Sequence, residues 1–328
     1  MPDIIKALCL LSSGMDSALA VKVLMEQGIE VVGLNFVLPF ADEKADYAGH
    51  MAEQIGISLI RVQAGDEYID MVRHPVYGYG SYMNPCVDCR IYMLRGAKRV
   101  AQNIGARFIA TGEVLEERPK SQGMNSLMIV ERASGLRNKV VRPLTAGNMP
   151  VTIPERQGLV DRARLLSIKG RSRKPQMELL GKYNIQGSRT PSGGCLLTRE
   201  DYCHKLKALF KHKKKVTLRD IELLKIGRHF YLADSVIIVG RNERDNNLLR
   251  DLRGQDDFLL EMPGQPAPTT LMSGDKQDSV VNVAARLTVK YCGVQGGKVV
   301  VECNRHGWTD KIEIEADSPL SELEGIFY

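Results

Sequence analysis

Residues 4–11 read Ile-Ile-Lys-Ala-Leu-Cys-Leu-Leu, apolar throughout except for Lys6, and they run straight into Ser12-Ser13-Gly14-Met15-Asp16-Ser17. A short apolar run without alternation is the signature of a strand buried on both faces, as in a parallel sheet. Beyond the serines, Ala18, Val21, Leu24 and Met25 recur at helical spacing until Gly28 stops the pattern. The chain is therefore read as strand, tight turn of small residues, helix. That order leaves the first N–H groups of the helix unpaired and its positive dipole end facing the turn, which favours a bound anion. Gly14 lets backbone approach that anion, Ser12, Ser13 and Ser17 add hydroxyls, and Asp16 can cap the helix or hold a Mg²⁺ that bridges phosphates. Lys6 within the run, Asp3 before it and the turn after it argue against a cleaved leader.

The same rhythm continues. Residues 30–36 and 58–63 read as strands, 42–56 as a helix, and 107–111 as a further strand ended by Gly112. Alternating strands and helices predict an α/β domain with a parallel sheet covered on both faces. Asn84-Pro85 is expected to open a helix, with Asn as cap and Pro in the first position. A hairpin is expected around Ser134-Gly135 within 127–144, and residues 150–190 read as helical and basic, broken by Pro154, Pro175 and Gly187. Helices are expected over 200–213, 217–226 and 278–292, strands over 235–239, 257–261 and 298–303, and a Gly/Pro-rich loop over 263–274. The resulting division is 1–150 as a nucleotide-binding domain, 151–215 as a basic segment completing its site, and 216–328 as an α+β module, with the main boundary near 200–216.

Charge narrows the partners. The chain of 328 residues carries a net +6, but 161–253 holds 22 Lys/Arg against 10 Asp/Glu, a local +12, while the remainder sums to −6. A basic middle between acidic flanks suits a polyanion. Lys213, Lys214 and Lys215, with Arg219, Lys225, Arg228 and Arg241, can meet phosphates, which position a nucleic acid without reading its bases. No apolar run is long enough to span a membrane. Seven cysteines in so long a chain do not suggest a disulfide framework.

Three of those cysteines stand out. Cys86 and Cys89 fall one turn apart at the start of the helix opened by Asn84-Pro85, where a helix N-terminus lowers a thiol pKa. Cys195 follows Thr190-Pro191-Ser192-Gly193-Gly194, a turn able to bring a thiol into a crowded place. Cys203 or His204 offers a fourth ligand for structural zinc. Cys9 reads as core, and Cys292 and Cys303 as packing residues of the last module.

The turn is neither a Walker A nor a dinucleotide fingerprint. It resembles the Ser-Gly-Gly-x-Asp-Ser signature of the PP-loop ATP pyrophosphatases, with Ser13 in place of the first glycine. Asn84-Pro85-Cys86-x-x-Cys89 with a distant Gly-Gly-Cys195 resembles the thiouridylase branch of that family. The resemblance implies cleavage of ATP to AMP and pyrophosphate with Mg²⁺, adenylation of a tRNA uridine carbonyl, and its replacement by sulfur. It implies that residues 12–17 hold the nucleotide, with Asn35 and Phe36 near the adenine and Thr111-Gly112 bordering it. It implies one of two roles for Cys86, Cys89 and Cys195: ligands of a [4Fe–4S] cluster with an open iron, or carriers of persulfide sulfur resolved through a disulfide. Where the branch often has Thr-Gly-His, this chain has Glu113. From 217 onward, Val239-Gly240-Arg241-Asn242 and the segments 257–264 and 278–292 resemble the NFACT-R RNA-binding domain, which implies RNA contacts through Arg241 and Asn242. The expected partners are tRNA and a sulfur donor (a cysteine desulfurase, a carrier protein or free sulfide), with a homodimer left open and the cytoplasm as the expected place. The competing expectations are a PP-loop ligase or amidotransferase acting on a small metabolite, and a non-catalytic RNA-binding protein.

Overall fold

The computed structural model describes residues 4–12, 14–41, 46–118, 120–186, 194–274, 277–294, 296–305 and 307–317. The chain separates into two units, Met1–Arg199 and Glu200–Tyr328. The segment expected to stand apart as 151–215 is divided between them.

In the first unit, β1 (Lys6–Leu10), α1 (Met15–Met25), β2 (Glu30–Val37), α2 (Tyr47–Ile55), β3 (Leu59–Gln63), α3 (Asp66–Arg73), α4 (Cys86–Asn103), β4 (Phe108–Thr111), α5 (Met124–Ser134) and β5 (Val140–Val141) follow in order. The strands form one parallel sheet in the order β3-β2-β1-β4-β5. Period-two alternation sorts the central strand: Ala7 and Cys9 enter the core shared with α1, while Leu8 enters the one shared with α4. Cys9 is core, as its place in the apolar run required. After β1 the chain leaves on one face and after β4 on the other, so the carboxyl ends of β1 and β4 form the crevice where such sheets bind ligands.

Two local expectations fail here. The hairpin around Ser134-Gly135 is instead the end of α5, followed by β5. Gly135 adopts φ 71 as a left-handed helix cap, a conformation that serves a helix end as readily as a hairpin turn. Residues 151–186 hold only the short helix α6 (Ile153–Arg156), a 3-10 turn and α7 (Lys174–Lys182). Leu165, Leu180 and Ile185 nevertheless seal the α1 side of the core.

The second unit contains α8 (Glu200–His212), α9 (Leu218–Leu224), β6 (Arg228–Leu232), β7 (Ser235–Val239), α10 (Glu243–Asp251), β8 (Phe258–Glu261), β9 (Thr270–Ser273), α11 (Asp278–Lys290), β10 (Lys298–Arg305) and β11 (Trp308–Glu315). Its sheet is antiparallel in the order β11-β10-β8-β9-β7-β6. The stretch 263–274, read as loop, yields β9 at its end, because Thr270–Ser273 pairs with both β7 and β8 and buries Leu271 and Met272 completely. Such long-range pairing overrides the turn-rich composition. No helix among the described residues is long and apolar enough to cross a membrane.

His229 on β6 is 4% exposed, and its Nε2 lies 3.1 Å from the Leu223 carbonyl and 2.8 Å from that of Ile226. Two carbonyl partners require Nε2 to carry the proton. Burial pushes the pKa down from 6.5 to about 4. A histidine depressed in the folded state stabilises fully above its unfolded value, and that contribution is lost as pH falls from 6.5 toward 4. Urea unfolding followed by the fluorescence of Trp308, the chain's single tryptophan, should therefore show a midpoint that drops between pH 7 and pH 5. A His229→Gln variant should lose that part of the drop.

Candidate functional site

The turn after β1 is held by its own serines. Ser17 Oγ donates to the Gly14 carbonyl at 2.8 Å and accepts from Ser12 N at 3.1 Å, and Gly14 N donates to Ser12 Oγ at 3.1 Å. Gly14 caps α1 in extended backbone. The start of α1 thus carries no side-chain cap among the described residues. Met15 is buried in the core, so it contributes backbone rather than side chain. Ser13 lies outside the described residues. Asn35 Nδ2 donates to the Leu11 carbonyl at 3.0 Å and ties the end of β2 to the turn. Phe36 faces α4 instead, edge-on to Tyr92 at 6.2 Å and against Gly96. Gly112 meets α1 directly: a Cβ there would come within 2.5 Å of the backbone of Asp16 and Ser17.

Asp16, expected as a cap or Mg²⁺ ligand, does not cap. Its Oδ1 is buried without a hydrogen-bond partner. Burial raises its pKa, while Arg173, the Gln176 amide and Arg118 pull it the other way. Gln176 is fully buried, with its amide beside Asp16. Arg173 Nη2 pairs with Glu117 Oε1 at 2.6 Å, yet its Nη1 has no partner. Glu117 is pushed up by burial and then by the nearby Asp16 charge. Buried polar atoms in native proteins mostly bond to protein or to ordered water. Arg173, Gln176 and Glu117 escaped the sequence reading. The only sequence signal for Arg173 was its place in the basic segment, and nothing in the chain order links it to a turn far upstream.

Glu113 is 5% exposed and replaces the expected histidine with a charge network. It pairs with Arg90 of α4 and with Arg142 Nε at 2.9 Å, and it accepts from Thr111 Oγ1 at 3.0 Å. Arg142 also pairs with Glu131 of α5. Burial favours the protonated acid, but Arg90 and Arg142 outweigh it and hold the Glu113 pKa below the usual carboxylate value. The network clamps the cysteine-bearing helix to the end of β4. Glu113→Gln leaves Arg142 undercompensated and should cost about 3–5 kcal/mol of stability at neutral pH. The stability tied to Glu113 is present above its unfolded pKa near 4.5, and it is lost as pH falls through the lower folded value. Chemical denaturation of both proteins at pH 7 and pH 3.5 checks this, the gap narrowing at the acidic pH.

Cys86 and Cys89 stand at the start of α4, and Cys195 stands on a segment that bridges to Ala41. Cys86 begins α4, one residue after the expected start, because Pro85 takes the cap position. Asn84 supplies no cap bond; its Oδ1 accepts from the Cys86 thiol at 3.0 Å. Cys89 Sγ accepts from the Tyr68 hydroxyl at 3.1 Å. The expected lowering of the Cys89 pKa does not occur: burial pushes it up to about 11, against the pull of Tyr68 and Arg90. Cys195 bridges to Ala41, with Leu196 N on the Phe40 carbonyl at 2.8 Å and Met83 N on the Leu197 carbonyl at 3.2 Å. These contacts carry it past the end of β2 to the approach to α4. Tyr68 feels, after burial, the charges of Cys89, Cys195 and Cys86, which all raise its pKa. Residues 190–193 lie outside the described residues. Among the described residues no three His, Cys, Asp or Glu side chains are grouped to hold a metal. No three-thiolate set is therefore grouped among the described residues. Cys86 and Cys89 are turned toward Asn84 and Tyr68, and Cys203 is buried in the core of the second unit.

In the second unit several expected RNA contacts also have structural partners. Lys213 Nζ pairs with Asp220 at 2.7 Å, and Asp220 completes the capping box of α9 with Thr217. Arg241 Nε pairs with Asp245 Oδ2 at 2.6 Å, and Asn242 caps α10 by accepting from Asp245 N at 2.9 Å. Lys214 and Lys215 are exposed.

Residues 5–149 match the family model of the thiamine biosynthesis protein ThiI, and residues 227–322 match that of the NFACT protein RNA binding domain. A probable tRNA sulfurtransferase of Thermococcus kodakarensis is 28% identical over 149 residues, which are 42% of this chain and 36% of that protein. One from Methanothermobacter thermautotrophicus is 26% identical over 203 residues, 58% of this chain and 43% of that protein. The tRNA-specific 2-thiouridylase MnmA of Nitratidesulfovibrio vulgaris is 33% identical over 119 residues, 33% of this chain and 34% of that protein. The chain thus spans well under half the length of these relatives. Among solved structures, a 4-thiouridine synthetase–RNA complex with bound ATP is similar at a TM-score of 0.38 and 19% identity, over 67% of this chain and 52% of that one, a likeness too distant to inform the site. The two family models thus match separate parts of the chain, one in each unit.

Proposed function

We propose that this chain is an ATP-dependent tRNA sulfurtransferase that adenylates a uridine carbonyl oxygen and replaces that oxygen with sulfur. The observation that carries the reading is the pair Cys86 and Cys89 at the start of α4, a helix that Arg90 and Glu113 clamp to the strand end beside the phosphate turn. The relatives' names and the RNA binding domain support tRNA as the acceptor.

ATP phosphates would lie on the α1 N-terminus, with Ser12 and Ser17 shaping the turn. Mg²⁺ commonly uses one or two carboxylates together with substrate phosphates, and the unpartnered Asp16 Oδ1 fits that need, with Glu117 close by. Bound there, the ion would neutralise the departing pyrophosphate. Arg173 offers its unpaired Nη1 to the same charge. The uridine O attacks the α-phosphorus and pyrophosphate leaves.

The side chains fit persulfide chemistry better than a cluster. The outer sulfur of a Cys195 persulfide, charged by a separate sulfur donor, attacks the activated carbon and AMP leaves. The Cys86 thiolate then attacks the Cys195 sulfur. A Cys86–Cys195 disulfide forms, and the new sulfur stays on the base as the thiocarbonyl. A two-electron thiol reductant restores the pair. Cys89, held by Tyr68 with a raised pKa, stays a thiol and shapes the pocket.

Mass spectrometry of tRNA nucleosides from cells with and without the gene tests the reading. A thionucleoside lost with the gene and restored by the wild-type chain is expected, and an unchanged nucleoside profile overturns it. Anaerobic purification with an absorption spectrum decides the sulfur route: a strong charge-transfer band near 400 nm would restore the cluster.

A further inference from the structure

The second unit contains a cavity of about 320 Å³ at the junction of α8, α9, β6 and β7, within the roughly 300–1,000 Å³ range of small-molecule sites. Leu223, Leu224, Val236 and Ile238 give it apolar walls, and the end of α8 brings Lys213 and Lys214 to it. Its rim is fixed by backbone packing: a Cβ on Gly274, at φ 133, would come within 2.8 Å of Ser235 Cα and 2.9 Å of the Asp234 carbonyl.

His229 is one of several polar side chains in the lining, with His212, Asp220, Asp234 and Ser273. With Nε2 committed as donor to the Leu223 and Ile226 carbonyls, Nδ1 of the neutral ring is a bare acceptor, and it has no partner. A buried acceptor left unpaired is unfavourable, so a fitting ligand presents an N–H or O–H there. An anion would meet the Nδ1 lone pair and be repelled, and an aliphatic group would leave it unsatisfied. A planar heterocycle with apolar faces and an N–H edge satisfies walls and acceptor together. Asp234 and Asp220 also line the cavity, and Asp220 holds Lys213, so it is Lys214 that suits a phosphate attached to that ring.

We infer that this cavity takes one unstacked nucleobase, its N–H edge on His229 Nδ1 and its phosphate toward Lys214. The inference rests on the RNA-binding reading of this unit and adds a site to it. Sequence-specific RNA recognition characteristically extrudes bases into such pockets. A base on a strand and the base of a free nucleotide share this chemistry.

The experiment uses the full chain without ATP. It compares a single-stranded RNA, the same RNA with one abasic position, and AMP and UMP. Val236→Phe is made to fill the cavity, with Trp308 fluorescence confirming its fold. ¹⁵N NMR of the wild type follows the His229 Nδ1 resonance, which moves upfield when that nitrogen accepts a hydrogen bond. The expected result is an Nδ1 shift with RNA, and about tenfold weaker binding both for the abasic RNA and for Val236→Phe, as loss of a base contact gives. A shift with mononucleotides alone assigns the site to a free nucleotide. RNA binding that neither change weakens, or an Nδ1 resonance unmoved by RNA and nucleotides alike, overturns the cavity site and leaves the sulfurtransferase reading standing. Absence of any RNA binding overturns the RNA-binding reading itself.

Discussion

Cys195→Ser is expected to lower tRNA thiolation by about 10³-fold or more, the scale seen when a covalent nucleophile is removed, while ATP binding stays at the wild-type level. Cys195 is half-buried and held by backbone contacts to Phe40 and Ala41, so a serine of nearly the same size keeps the local fold. A hydroxyl forms no persulfide, so the step from adenylate to thiocarbonyl fails while the phosphate turn is untouched. The measurement is single-turnover formation of thionucleoside alongside equilibrium ATP binding. Cys86→Ser should behave differently if it resolves the persulfide: a tRNA–enzyme adduct should accumulate and be released by added thiol. Thiolation by Cys195→Ser at the wild-type rate would remove the sulfur role from that residue.

Gly112→Ala should have the second large effect, on the nucleotide half-reaction. A methyl there would lie 2.5 Å from the backbone of Asp16 and Ser17, atoms of a buried helix start that cannot swing aside as a side-chain tip can. Either the β4 end or the first turn of α1 must move by several tenths of an ångström. Displacement of a positioned group by about 1 Å can cost about 10²-fold, and a loss approaching that in kcat/KM for ATP is expected. Gly14→Ala is the control. Its φ of −83 suits alanine, and its Cβ would meet only Ser12 Oγ, at 3.2 Å, so the loss should be markedly smaller. Equal losses in the two variants would refute the packing argument.

The first strand, the turn and α1 were legible because they depend on neighbours in sequence. Hydrophobic runs of the right length, a small-residue turn and a helical repeat specify them locally. The antiparallel pairing of β9 was not, since Thr270–Ser273 becomes a strand only between β7 and β8. Ser134-Gly135 was ambiguous for a different reason: a glycine with positive φ ends helices and turns hairpins alike. Arg241 and Asn242 carried a motif resemblance, yet their contacts with Asp245 show how a motif residue can also serve a helix cap.

The sequence by itself determined the parallel α/β unit, the strand β1 followed by helix α1, and the core position of Cys9. Each rests on periodicity, composition or spacing within one short segment. Only the tertiary structure decided that Arg173, Gln176 and Glu117 join Asp16, that Glu113 stands in a buried charge network, and that the Tyr68 hydroxyl donates to Cys89. Those outcomes depend on burial and on charges brought together from distant parts of the chain. The Cys89 thiol shows the difference most directly: a helix N-terminus favours the thiolate, but desolvation at that site outweighs it and sends the pKa up to about 11.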